Sequence, residues 1–416
     1  MLRTCVALAA LVGFVAPGAA APPAASPDPK SLAVPQEELS KARGLVQKLG
    51  SETFVAREGA ERDLAAMGRL ARRALLDGVT RDPDPEVRAR CRTLLLKATT
   101  EEMKARLDAF VADAGGKYEH DLPGWHKLRS TVRGEWKVFG WTYTARPAAD
   151  KAARDLFIEF MQAPGGRQLL AALGGPPGEL GQMVASRKTE MYNAKFPRVP
   201  NVISRNPTVG EVGAVAFAES QVNSRSVPRA MALSTVLQQS GVPGVVQGTD
   251  DRALAMRAVM TAWFDSRTDA LELYPAFTLA TSMNNNAAVG RLAGRIMTTA
   301  GVQGYYKGQV LTTMVRLKMT DQLFAIEKAF TDTAVLTTTI KIVNGVQVRQ
   351  SIEVRDAALA AALVMTGQNP GDYGFDGFPP NVGVGGTNFS YVWAKIPEEK
   401  RKEALEKWKA WRDKNP

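Results

Sequence analysis

Arg57, Ala60 and Leu64 lie at offsets 0, +3 and +7 of one helical stretch, and Arg88, Cys91 and Leu95 repeat those offsets 31 residues later. Offsets of three and seven put side chains on one helix face, so the same face is presented twice. A small residue, Ala60 or Cys91, stands where two helices must approach closely. The Arg at each helix start can reach the carbonyls or acids of a neighbouring repeat. Near the C-terminus the pattern returns as Arg355, Ala358 and Ala362, with Asp356 beside the Arg. A recurring unit of this kind cannot bury its apolar face alone, and stacking successive copies completes the core. An all-α chain of stacked helix pairs follows.

The surrounding residues support that pattern. EELSKARGLVQKLG places Leu39, Ala42, Leu45, Val46 and Leu49 on one face and stops at Gly50. FVAREGAERDLAAMG follows, capped by Ser51 or Thr53, then RLARRALLDGV, the turn RDPDP, and EVRARCRTLLLKA ending near Thr99. These make a block of repeats over 36–114. Residues 115–200 read as a helical segment interrupted at 131–147, where Trp136, Val138, Trp141 and Tyr143 alternate as in a short strand pair. Apolar helices resume over 201–370, and β-branched alternation around Asn344-Gly345 predicts a hairpin at 336–353. The remaining stretch, 371–416, holds a Gly/aromatic loop anchored by its rings and a final helix. The helix carries a stripe of Leu405, Trp408 and Trp411 that docks as a terminal cap.

PDPEVRARC and SIEVRDAAL, and more loosely FVAREGA, resemble the inner helix of HEAT-type repeats, V-R-x-x-A preceded by Asp or Pro. Four further blocks resemble a family of exported bacterial proteins of unknown activity built on such repeats. They are LGSETFVAREGA (49–60), LPGWHKLR (122–129), RDLFIEF (154–160) and VRDAALAAALVMTGQNPGDYGF (354–375). The resemblance implies a HEAT/armadillo-like α-solenoid with a small inserted β-hairpin, and it implies export. It implies no chemistry.

The leader agrees with export. Residues 1–20 have Arg3 ahead of an apolar run, Val6 to Val15, and small residues after it, the form of a cleaved signal peptide. That run is too short to span a bilayer, so no transmembrane segment is expected after its removal. Residues 21–35 are Pro/Ala-rich and read as a stiff linker. The mature chain then keeps one cysteine, Cys91, with no internal disulfide to make.

The formal charge of +11 is spread along the chain without a run of five or six like charges, which argues against a nucleic-acid arm. The densest basic stretch is Arg187, Lys188, Lys195, Arg198 and Arg205, with Glu190 as its one acid. It reads as a solvated face. The alternative is a strip (187–205) that binds an anionic polymer or surface.

Catalytic motifs are scarce. AFAESQVNSRS resembles the E-S-x-x-N start of lytic transglycosylase domains, which makes Glu219 the candidate general acid of a peptidoglycan-cleaving glycosidase. The later G-L-M-Q element is missing, and the plainer expectation leaves Glu219 in solvent at a polar helix end. His120 and His126 stand too far apart for a helical zinc pair, and GVQG and GVGG lack the context of a phosphate loop, so no metal or cofactor is expected. The chain reads as a non-enzymatic scaffold for a protein partner in the cell envelope.

Overall fold

The computed structural model describes residues 28–134, 136–138, 141–143, 147–173, 175, 177–197, 203–222, 233–343, 346–379 and 389–415. The expected signal peptide, residues 21–27 of the linker, Arg198 and the Asn344-Gly345 turn lie outside them. The fold is all-α apart from two antiparallel strand pairs, and it divides into two compact units at His120/Asp121.

In the first unit a short 3-10 turn leads into α1 (Gln36–Lys48), α2 (Phe54–Met67), α3 (Arg72–Arg81) and α4 (Pro85–Ala112). α1 packs on α2 and α3, and α4 packs on α3 and α2. Ala42, Val46, Leu49, Ala60, Leu64, Leu75 and Cys91 form its core. Burying one such leucine is worth about 2 kcal/mol. Gly68 ends α2 at φ 54, a left-handed conformation that favours glycine.

α4 starts where the turn RDPDP predicts, with Pro85 first and the Asp84 carboxylate accepting from the Glu86 amide at 2.8 Å. It does not stop near Thr99. It runs on to Ala112, because Ala98, Leu107, Ala109 and Phe110 keep a buried face and Glu102 pairs with Arg106 one turn on, at 2.7 Å. The first compact unit runs on to His120, beyond the end of α4. Asp113 accepts from the amides of Lys117 and Tyr118 and meets His120 Nε2 at 2.9 Å, while the His120 ring stands edge-on to Phe110.

The second unit runs through α5 (Trp125–Arg133), β1 (Trp136–Val138), β2 (Trp141–Tyr143), α6 (Pro147–Gln162), α7 (Gly166–Ala172) and α8 (Pro177–Lys195). There follow α9 (Val209–Ser220), α10 (Leu233–Gln238), α11 (Val242–Val246), α12 (Asp251–Asp265), α13 (Ala270–Ser282), α14 (Asn286–Thr298), α15 (Gly304–Arg316) and α16 (Leu323–Lys328). β3 (Val335–Val343), β4 (Val346–Glu353), α17 (Val354–Met365) and α18 (Glu398–Arg412) complete the chain. The 131–147 interruption is the strand pair β1–β2, and β3–β4 pair antiparallel where the hairpin is predicted.

The expected division at 200/201 is crossed by packing. α12 lies against α5, α6, α9, α11, α13 and α14, and Arg252 of α12 grips Glu159 of α6 at 2.7 and 3.0 Å. α9 is buried from Gly210 to Glu219 on every face, the behaviour of a helix that is apolar all round. Neither helix is one of a row in which each meets only its sequence neighbours.

At the C-terminal end, Phe375, Phe378, Phe389 and Trp393 pack ring to ring, as expected for the described part of the 371–393 loop. α18 docks through Trp408, whose indole donates to Glu327 at 3.2 Å and stands edge-on to Phe330. Leu405 and Trp411 are half-buried beside it.

Candidate functional site

The repeat residues form a lock rather than a binding surface. Arg57 Nη1 donates to the carbonyls of Ser51 at 2.8 Å and Glu52 at 3.1 Å. Arg88 Nη1 donates to those of Asp82 and Pro83, both at 2.8 Å. The two arginines therefore hold the turn before their own helix in the same register, six and five residues back. Arg57 also comes within 3.8 Å of Glu86 at the start of the next pair. Ala60 and Cys91 are buried at the matching positions, and Gly78 of α3 closes on Cys91 so tightly that a Cβ there would lie 2.8 Å from its Sγ. Burial, with the charge of Asp82 adding to it, pushes the Cys91 thiol up to about 11, so it is an inert buried group.

Arg355 departs from the lock. It pairs with Glu353 at 2.5 Å and with Glu398 of α18 at 3.4 Å. Its neighbour Asp356 receives Arg401 through two bonds, at 2.7 and 3.2 Å. Burial holds Asp356 above the usual carboxylate range, with Arg401 opposing that in part. Ala358 is fully buried. The third copy of the motif thus anchors the terminal helix.

Part of the basic strip is paired within the chain. Lys188 is buried, Arg187 pairs with Glu190 and reaches Glu211 at 3.7 Å, Lys195 bonds Asn206, and Arg205 clasps Glu211 at 2.8 and 2.9 Å. The solvated-face reading fails for the buried Lys188, whereas Arg205 stays exposed and Lys195 meets only a neutral side chain. The acids that neutralise the strip, Glu211 and Glu219, both come from α9, outside the window in which Glu190 stood alone.

Glu219 is not in solvent. It is 1% exposed at the end of α9, with Lys188 Nζ of α8 at 2.6 Å, Trp263 Nε1 of α12 at 2.6 Å and Arg267 Nη1 at 3.4 Å. Arg267 lies over the Trp263 ring and reaches Glu272 of α13 at 3.0 Å. Burial works against the ionised form of Glu219, but Arg267, Lys188 and the Trp263 donor outweigh it and hold the carboxyl below its ordinary range. Glu272 moves the other way, raised by burial. A general acid needs a raised pKa and access to a leaving group. Glu219 has the reverse, an anion enclosed by two cations, so it is not placed as the proton donor of a glycosidase.

His120 is buried on Asp113 whereas His126 is exposed on α5, so the two histidines share no environment. Among the described residues no three His, Cys, Asp or Glu side chains gather as a metal site would require, and no helix is long and apolar enough to cross a membrane.

One cluster escaped the sequence reading. Tyr274 of α13 stacks on Tyr306 of α15 with centroids 4.2 Å apart and planes 18° apart, and Tyr305 meets Tyr306 edge-on at 5.8 Å. Tyr391 rests on Gly308, where a Cβ would lie 3.1 Å from its ring, and its hydroxyl receives Gln309 Nε2 at 3.4 Å. Around them Leu271 is 64% exposed, Tyr305 and Val335 both 49%, and Val392 45%. Gly304 lets Val335 come close: a Cβ there would stand 2.4 Å from the Val335 carbonyl. The adjacent pair Tyr305-Tyr306 was the available signal, but helical periodicity cannot show that residues 271–274, 305–306, 335 and 391–392 meet.

The chain matches no known family model, no curated protein and no solved structure. Its resemblance to exported HEAT-like proteins therefore stands on the sequence blocks alone, and the fold established here is all-α.

Proposed function

We propose that this chain is an exported, non-catalytic helical-repeat protein of HEAT-like character that binds a protein partner as a scaffold in the cell envelope. The observation that carries the reading is the apolar and aromatic surface formed by Leu271, Tyr305, Val335 and Val392 around the stacked Tyr274 and Tyr306. Exposed apolar side chains gathered together mark interaction surfaces, and tyrosine is enriched among the residues that dominate them. The repeat reading draws on α1–α4, in which α1 packs on α2, α3 on α4, and Arg57 and Arg88 make the same lock. The scaffold reading draws on the other candidate sites: Lys188 and Arg205 of the basic strip are paired with acids, and Glu219 is enclosed.

The test is retention of a partner from envelope extract by the immobilised chain and by a Leu271→Ser/Tyr305→Ser variant. The reading expects a protein bound stoichiometrically by the wild type and lost from the variant, while circular dichroism shows both folded. Equal retention by the two would discard this surface, and release of peptidoglycan fragments by the wild type would discard the non-catalytic reading.

A further inference from the structure

Four of the chain's eight tyrosines, Tyr274, Tyr305, Tyr306 and Tyr391, gather at one place. Two of them, Tyr274 and Tyr306, are stacked. We propose that Tyr274 and Tyr306 form an intramolecular dityrosine cross-link when the chain meets hydrogen peroxide and a one-electron haem peroxidase.

The chemistry is favoured where two rings are held close together, since coupling of short-lived radicals rewards proximity and orientation. The pair is nearly parallel at 4.2 Å between centroids, on helices separated in sequence by the whole of α14. Each phenol loses one electron and one proton to give a phenoxyl radical. The two rings then bond through the carbons ortho to oxygen, and the hydrogens on those carbons return to the oxygens as the rings regain aromaticity. In sum two ring C–H bonds break, one C–C bond forms, and one peroxide is reduced to two waters. Tyr305, half exposed and edge-on to Tyr306, is the ring an oxidant meets first, and its radical passes to the stacked pair.

The product would staple α13 to α15. Residues 121–416 contain no cysteine, so no disulfide can close a loop within them. A covalent link across α14 restricts the unfolded chain as a disulfide would. This inference does not depend on the partner-binding reading, because it concerns the reactivity of the isolated chain.

The experiment treats the purified full chain with a haem peroxidase and limiting hydrogen peroxide, then reads dityrosine fluorescence and tryptic peptides by mass spectrometry. Cleavage after Arg267, Arg291, Arg295 and Lys307 puts Tyr274 in peptide 268–291 and Tyr305 with Tyr306 in 296–307. The proposal expects these two peptides joined with the loss of two hydrogens, the bond mapping to Tyr306 by fragmentation. Tyr274→Phe and Tyr306→Phe keep the stacked rings and so the fold, and each should bring the joined peptide to background. Tyr305→Phe should slow the reaction and leave the product unchanged. Chain unfolded in urea before oxidation should lose the specific pair. No coupling in the native chain, coupling mapped to Tyr305, links only between two copies, or the same yield from unfolded chain would each overturn it.

Discussion

The two units use cations in opposite ways. In residues 28–120 the repeated arginines, Arg57 and Arg88, stay at helix starts and bond backbone carbonyls near the surface. In residues 121–416 a lysine and an arginine, Lys188 and Arg267, are 2% exposed and enclose a carboxylate. The first arrangement is local and can be copied along a chain. The second joins α8, α9, α12 and α13 and has meaning only where those four meet. It makes the interior specific at a high energetic stake, because removing one member leaves the others charged and dry.

The largest effect should therefore come from Glu219→Ala. It leaves Lys188 and Arg267 buried without their anion and should cost about 3–5 kcal/mol in urea unfolding of the second unit. Replacing the three together by apolar side chains (Lys188→Met, Glu219→Leu, Arg267→Met) should recover most of that loss. A cost for Glu219→Ala below about 1 kcal/mol would mean the cluster is hydrated and the contrast is false.

In the first unit the counterpart is steric. Gly78→Ala drives a methyl group against Cys91 Sγ and Val46 and should cost about 1–3 kcal/mol. Adding Cys91→Ala should relieve part of it, and a double-mutant cycle measures how much. Additive losses would show that the helices yield elsewhere.

The arginine lock should give a smaller and paired effect. Arg57→Ala and Arg88→Ala should each cost about 1–2 kcal/mol, equal within error, by loss of charge-assisted bonds to carbonyls. Arg355→Ala, which loses only half-exposed ion pairs, should cost less than about 1 kcal/mol. Unequal values for Arg57 and Arg88 would separate what the register joins.

Acid titration sharpens the comparison last. Glu211 and Glu219 lie below their ordinary 4.5 in the folded chain, so their contribution is present above pH 4.5 and is lost as pH falls through the folded values. Glu272 and Asp356 lie above their ordinary 4.5 and 3.8, so their ionisation subtracts stability as pH rises through the folded values. The second unit's melting temperature should thus climb as pH drops from 7 toward the ordinary carboxylate range and fall below it. Cys91, by contrast, should resist alkylation at pH 8 in the folded chain and react once unfolded.

Several elements were legible from residues alone. The helices of 36–98 follow their apolar spacing, α4 begins at its Asp-Pro signal, and β3–β4 fall on the alternation around 336–353. What failed was longer in range. Thr99 and Thr100 looked like an end, but a continuing buried face carried α4 past them. Lys188 looked like one cation in a surface strip, because its partner Glu219 stands 31 residues away on another helix. Glu219 looked like a polar helix end, because nothing nearby in sequence reveals Trp263 and Arg267 closing over it.

Sequence by itself determined the all-helical character of the chain, the recurrence of one helix pair and its arginine, and the places of the strands. Those follow from periodicity, caps and turn residues, which act within a few positions. Tertiary structure alone decided which charges are buried, that α12 is central to its unit, and that four tyrosines gather at one place. Burial and pairing are set by residues brought together from distant parts of the chain, and local pattern carries no record of such meetings.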